Sequence, residues 1–181
     1  MSHIKFTDML VEPDKGTYSE SIFYNTKMFI SSNNKINTAP LLQDFKYRVK
    51  YGVTIHETHK HKAYINIFKA GKSQVVSQPL WGQYIEIVQT GEDVKTIYTE
   101  DTLWSDFKVG GIVTLYKKYD QYNLAVVESI TQNSITFEEK VSVEVGMLVM
   151  PAFYGFVKNV INTSYDSERF IKGDILIEEL L

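Results

Sequence analysis

Hydrophobic and polar positions alternate most clearly between residues 45 and 51, where Phe45, Tyr47, Val49 and Tyr51 are interleaved with Lys46, Arg48 and Lys50. A period of two marks a strand with one apolar face, here backed by a basic one. Gly52 interrupts it. A second alternation runs from His61 to Phe68, with Ala63, Ile65 and Ile67 against Lys62, Tyr64 and Asn66, and ends at the turn residues Ala70-Gly71-Lys72-Ser73. Residues 1–45 are mixed, with a polar cluster at Ser31-Ser32-Asn33-Asn34 and a proline at position 40, and read as short strands joined by long loops.

Beyond Pro79 the pattern predicts six short strands: Tyr84–Gln89, Val94–Thr99, Ile112–Tyr116, Leu124–Thr131, Ser134–Phe137 and Met147–Met150. Short strands at intervals of about 8–12 residues indicate a sandwich or small barrel, not parallel βαβ units. Between them, Leu103, Trp104 and Phe107 have a spacing that suits one helical turn, capped by Asp101 and plugging an end of the module. Phe153, Gly155, Val157, Asn159 and Ile161, a loop at Asn162–Glu168, then Ile175 and Ile177 predict a terminal hairpin that closes or extends the sheet. The fold expected is therefore mainly β: a small antiparallel barrel or sandwich at about 80–155, an irregular β-rich N-terminal part, and a C-terminal hairpin. The chain divides into a region 1–78 and a region 79–181.

Composition narrows the chemistry. A chain of 181 residues is one domain, or one domain with a structured arm. Twelve tyrosines and ten phenylalanines favour strands. There is no cysteine, which excludes disulfides, thiolate zinc ligands, iron–sulfur ligation and a cysteine nucleophile. No apolar run approaches the ~18 residues of a membrane span, and the polar start MSHIKFTDML points to a cytoplasmic product. The net charge of −3 conceals an asymmetry, +5 over residues 1–80 and −8 over residues 81–181. Opposite charges on one small molecule suit either two solvated faces or head-to-tail contact between copies.

Candidate catalytic patterns are weak. In Ile55-His56-Glu57-Thr58-His59-Lys60-His61, a strand would bring His59 and His61 to one face and a helix would bring His56 and His59 together. A catalytic metal needs a third ligand, and Lys60 and Lys62 add positive charge beside the site, so the segment reads as a polar loop. The pairs Glu92-Asp93, Glu100-Asp101, Glu138-Glu139 and Glu178-Glu179 are sequence neighbours; on a strand such neighbours point to opposite faces, whereas glycosidic cleavage needs two carboxylates across a cleft. There is no G-x-S-x-G and no phosphate loop, and Gly110-Gly111 lacks the third glycine of a dinucleotide site. Nucleic-acid binding is disfavoured because the alternation separates Lys46, Arg48 and Lys50 from Tyr47 and Tyr51, while a single-strand binder needs basic and aromatic groups on one surface.

One ordered set of motifs remains. Gln78-Pro79-Leu80-Trp81 is followed by Thr99-Glu100-Asp101-Thr102, by Phe107-Lys108-Val109-Gly110-Gly111 leading into Val113-Thr114-Leu115-Tyr116, by Leu124–Ile130 and Asn133-Ser134-Ile135-Thr136-Phe137, and by Gly146–Ala152. Over about residues 75–160 this order resembles a family of tailed-bacteriophage tail proteins, in which a P-L-W segment precedes an F-x-x-G-x-x-V-x-L strand and a V-x-S-I-x-x-N-x-I-T-F hairpin. The residues also make sense on their own: Gly110 and Gly111 supply a tight turn, Asn133 fits a left-handed hairpin corner, and Val126–Ile130 faces Ile135 and Phe137.

The resemblance implies a non-enzymatic virion component of a distal tail, hub or tip, without a cofactor, working as a ring-like homo-oligomer that docks to other tail proteins. Lys46, Arg48, Lys50, Lys60, Lys62, Trp81 and Trp104 are its candidate interface residues. The rival expectation is a β-barrel module for carbohydrate or another ligand, in which Trp81, Trp104, Tyr119 and Tyr122 line an open groove. A third is a metal-dependent enzyme around His56, His59 and His61.

Overall fold

The computed structural model describes residues 7–8, 12–23, 26–30, 36–40, 45–55, 75–118, 121–167 and 170–180. Its strands are β1 (Thr7–Asp8), β2 (Ser19–Phe23), β3 (Thr26–Ile30), β4 (Ile36–Pro40), β5 (Lys46–Ile55), β6 (Val75–Pro79), β7 (Ile85–Glu86), β8 (Gly91–Tyr98), β9 (Ile112–Lys118), β10 (Gln121–Thr131), β11 (Ser134–Val143), β12 (Leu148–Ser167) and β13 (Phe170–Glu179). One 3-10 turn, Trp81–Gln83, is the only helical element among the described residues. The protein is mainly β.

The main path of hydrogen-bonded neighbours is β2-β5-β13-β12-β9-β10-β11-β8, and β3 pairs only with β4. The path ends at β2 and at β8 without returning on itself, so the expected choice between barrel and sandwich falls to an open, sandwich-like arrangement. Strand β12 is its spine. Val149 is opposite Ile85 and Leu115, Ala152 is opposite Pro79 and Ile112, and Gly155 is opposite Val76 and Glu179. A strand has two edges, so β7 and β6 share one edge of β12 while β9 and then β13 share the other.

Two cores lie along this spine. The first joins Tyr47, Val49, Tyr51 and Val53 of β5 to Val76, Leu80, Phe153, Val157, Ile175 and Ile177. The second joins Ile97 of β8, Val113 and Leu115 of β9, Ala125 and Val127 of β10, Ile135 and Phe137 of β11, and Val149 of β12. Strand β10 connects the layers of the second core: it pairs with β9 through Val126, and from Val127 onward with β11. The pairing with β11 shifts register at Glu128, the kind of irregularity that bends a strand. On the opposite face of β9 and β12, Tyr116 and Met150 form a smaller buried group with Trp81 and Leu148 packed against it.

The basic stripe forms as the alternation predicts, with Tyr47, Val49 and Tyr51 buried and Arg48 and Lys50 exposed. Other local expectations are corrected. Asp101–Phe107 makes no helical plug: Asp101 Oδ1 accepts the Leu103 N–H at 2.9 Å, which closes a turn, and Leu103 and Trp104 are 74% and 87% exposed. Only Phe107 of that trio packs on the core. Asn133 is not the left-handed corner; among described non-glycine residues that conformation belongs to Asp93 (φ 54°). Asn133 instead donates its side-chain amide to the Glu100 carbonyl at 2.7 Å. The strand expected at Tyr84–Gln89 shrinks to Ile85–Glu86, and β12 continues through most of the loop expected at Asn162–Glu168. The turn at Lys108–Gly111 is as expected: Gly111 N–H bonds the Lys108 carbonyl at 2.9 Å, and Gly110 has φ 77°. The strand expected at His61–Phe68, the polar cluster at Ser31–Asn34 and the turn at Ala70–Ser73 lie outside the described residues.

Gly155 sits where β6 and β13 both grip the spine. A Cβ there would lie 2.6 Å from the Glu178 carbonyl oxygen and 2.8 Å from Ile177. Gly155→Ala should therefore lower the unfolding free energy by roughly 1–3 kcal/mol, as overpacking does, measured by urea denaturation against the wild type.

Candidate functional site

A change of neighbour along one edge of β12 leaves an opening. Strand β9 last pairs at Ala152 and β13 first pairs at Gly155. A cleft of about 220 Å³ occupies this seam, lined by Gly110–Ile112, Phe153, Tyr154 and Glu179 together with Tyr47, Asp106 and Lys108.

The polar groups lining it are bonded to one another. The Tyr47 hydroxyl donates to Asp106 Oδ2 at 2.5 Å, and Lys108 Nζ lies 3.2 Å from the same oxygen. Lys108 Nζ also sits 4.5 Å from the Phe45 ring centroid, within range of a cation–π contact. Glu179 Oε2 accepts the Tyr47 backbone N–H at 2.9 Å. The Asp106 backbone N–H donates to Gln83 Oε1 at 2.7 Å, and the Ser105 hydroxyl donates to the Gln83 carbonyl at 2.8 Å. Gln83 Nε2 in turn donates to Glu20 Oε2 at 2.7 Å, and the Tyr18 hydroxyl donates to Glu20 Oε1 at 2.5 Å. A chain of hydrogen bonds thus ties β2, the 3-10 turn, the 101–108 loop and β5 together across the boundary between the two cores.

These surroundings shift the phenols. Burial first, then the hydrogen bond to Glu20, pushes Tyr18 well above its ordinary value; burial and the bond to Asp106 do the same to Tyr47. Both remain neutral donors in the folded protein and hold their carboxylates by O–H rather than competing with them as anions. Asp106 receives a phenol and an ammonium, so the cleft is organised to fix a loop in place.

A second cleft, of about 270 Å³, opens where β10 and β11 part: Leu124 and Val126 form one wall, Glu138–Val141 the other, with Ile112 and Tyr154 at the base. Its walls separate because pairing between the strands stops at Val127 and Phe137.

The candidate residues named from sequence are scattered. Lys46, Arg48 and Lys50 lie along the outer face of β5, where Arg48 bonds Glu178 at 2.5 Å and stacks 4.8 Å from the Phe23 ring centroid. Lys158 reaches the same carboxylate at 3.1 Å. Burial opposes the charge on Glu178, but the hydrogen bonds from Lys158 and Arg48 outweigh it and hold its carboxyl below the usual range. Trp81 is half-buried, edge-on to Tyr116 with centroids 5.0 Å apart, and its indole N–H is buried with no hydrogen-bond partner among the described residues. Trp104 stands in solvent on the loop 99–105. Neither tryptophan lines either cleft. Tyr122 is partly exposed on β10. His56, His59, His61, Lys60, Lys62 and Tyr119 lie outside the described residues. No group of three His, Cys, Asp or Glu side chains suited to a metal ion occurs among the described residues.

Sequence reasoning missed the Tyr18–Glu20–Gln83–Asp106–Tyr47 chain. Its members are brought together by tertiary pairing, Tyr47 and Asp106 being 59 positions apart. The one local signal was a polar Gln83 in an otherwise apolar stretch after Pro79. Compared with known proteins, the chain matches no family model, and no curated protein matches it significantly.

Two pH responses follow. Because the Tyr47 phenol is raised in the folded state, its contribution is complete below the unfolded value of about 10 and is lost as pH climbs toward the folded value. Tyr47→Phe should cost roughly 1.5–3 kcal/mol at neutral pH, the range for a hydrogen bond to a charged group, and flatten the alkaline loss of stability followed by circular dichroism. At the other end, the lowered Glu178 carboxyl contributes above its unfolded value of about 4.3 and loses that contribution as pH falls through its folded value. Glu178→Gln should be less stable than wild type at pH 7 and lose less between pH 5 and pH 3, by urea midpoints across that window.

Proposed function

We propose that the protein is a structural component of a bacteriophage tail, placed at the distal tail, hub or tip, and that it acts by assembling with copies of itself and with neighbouring tail proteins. The carrying observation is the loop that presents Leu103 and Trp104: it is anchored at both ends, by Asp101, Gln132 and Gln83, yet its two largest apolar side chains are solvent-exposed. An indole turned into water on a loop whose backbone is tied down has no folding benefit, whereas such a loop presents an aromatic anchor for a protein contact at reduced ordering cost. The motif order supports the same reading. Pro79-Leu80-Trp81 ends the strand beside β12, Gly110 turns the chain into β9, and Val127, Ile135 and Phe137 fill the second core, so the resembling residues are those that build shape.

The exposure of Trp104 also favours a second reading, a surface that stacks on a sugar. Against it, Trp81 packs on Tyr116 and neither tryptophan borders a cleft. The deciding experiment is to induce tailed particles in a strain carrying the gene, purify them on a density gradient, and quantify this chain by mass spectrometry. The tail reading requires its peptides in the particle band at a fixed copy number relative to known tail proteins; recovery only from the soluble fraction overturns it.

A further inference from the structure

We infer that copies of this chain join head to tail, the acidic Leu103–Trp104 loop of one docking on the basic outer face of β5 and β13 of the next. The inference rests on the assembly reading above and names the two surfaces it uses. The loop carries Glu100 and Asp101 beside the exposed Leu103 and Trp104. The receiving face carries Arg48 and Lys50 of β5, Lys158 of β12 and Lys172 of β13, all exposed. Glu178, which pairs with both Arg48 and Lys158, and Asp174 lie on the same face, and Asp14 reaches it at Thr54, so the four cations outnumber three carboxylates and leave it net positive. Acidic groups around an indole are thus offered to cations around partly buried apolar side chains, a match in charge and in cation–π chemistry. Arg48 already packs on the ring of Phe23 within its own chain.

Strand geometry explains why the partner is a second copy. Successive residues of a strand point to opposite faces. Tyr47 turns inward and bonds Asp106, so the 101–108 loop belongs to the inner side of β5, whereas Arg48 and Lys50 project from the outer side. The sheet itself stands between the loop and the basic face of the same molecule. Two different surfaces facing opposite ways make a heterologous contact, which repeats into a ring where the rotation closes.

The test uses two full-length variants altered only at exposed positions, leaving the turn-closing carboxylate of Asp101 in place. Glu100→Gln/Trp104→Ala disables the loop, and Lys50→Glu/Lys172→Glu disables the face; circular dichroism and melting verify that both fold. In sedimentation velocity at low ionic strength, the wild type should grow in mass with concentration and dissociate with added salt. Each variant alone should stay monomeric. Their equimolar mixture should form a one-to-one dimer and stop there, since it retains a single intact loop and a single intact face. Lys50→Arg/Lys172→Arg should assemble as wild type, and Trp104→Ala alone should weaken association at least about 30-fold, as for an anchor residue. The inference is overturned by a wild type that remains monomeric, by self-association that survives in either double variant, or by a mixture that does not pair. Incorporation into particles despite any of these results would leave the tail reading standing and the chosen surfaces wrong.

Discussion

Hydrogen bonding along both edges of β12 is the constraint from which the rest of the structure follows. A twenty-residue strand in the middle of a sheet needs neighbours along its whole length, since each unpaired buried N–H or C=O is costly. No single partner is that long. Through Phe156 the chain supplies neighbours in relays, β7 and β6 on one edge, β9 and then β13 on the other, and beyond Phe156 the pairing among the described residues is with β13 alone. Each relay brings its own apolar face, and so one strand organises two cores: Val149 contributes to one, Phe153 and Val157 to the other.

A relay has a joint, and the joint explains where the polar chemistry is. Between Ala152 and Gly155 neither β9 nor β13 continues the ladder, and the two cores approach without merging. Apolar filling there would fuse them; instead the gap is bridged by Asp106, Lys108, Tyr47 and Gln83, directional groups that fix one geometry. The loop that supplies Asp106 is also the loop that displays Trp104. The bonds that bridge the two cores therefore also tie down the loop that carries Trp104, which links the internal architecture to the surface.

The parts legible in the sequence are those governed by neighbours in the chain. The alternation of Tyr47, Val49 and Tyr51 with Lys46, Arg48 and Lys50 gave the face of β5 because side-chain direction depends only on strand parity. Gly110 marked its turn because a left-handed residue requires it. Asn133 misled for an instructive reason: its residue type permits the left-handed corner, but its amide has a better partner in the Glu100 carbonyl, and that loop is distant in sequence. Leu103, Trp104 and Phe107 misled in the same way. Their spacing fits a helical turn, yet Asp101 closes a tighter turn on Leu103, and only Phe107 falls back onto the core. The seam could not be read at all, because it is made by where strands stop pairing.

Charge then acquires a direction it lacks in the sequence. The excess of +5 in one half and −8 in the other says nothing about geometry, since the halves interleave in the sheet: β5 pairs with β13, and β6 with β12. What separates the signs is strand parity, which puts Arg48 and Lys50 on the outer side of β5 while Tyr47, on the inner side, holds Asp106 of the acidic loop. Such a polarity is weak within one molecule, where exposed pairs are worth ~0–1 kcal/mol and are screened by salt. In the proposed ring the same small terms would repeat at each contact, together with burial of the Trp104 indole. The proposed contact between copies would use both features, the polarity of charge and the exposed tryptophan.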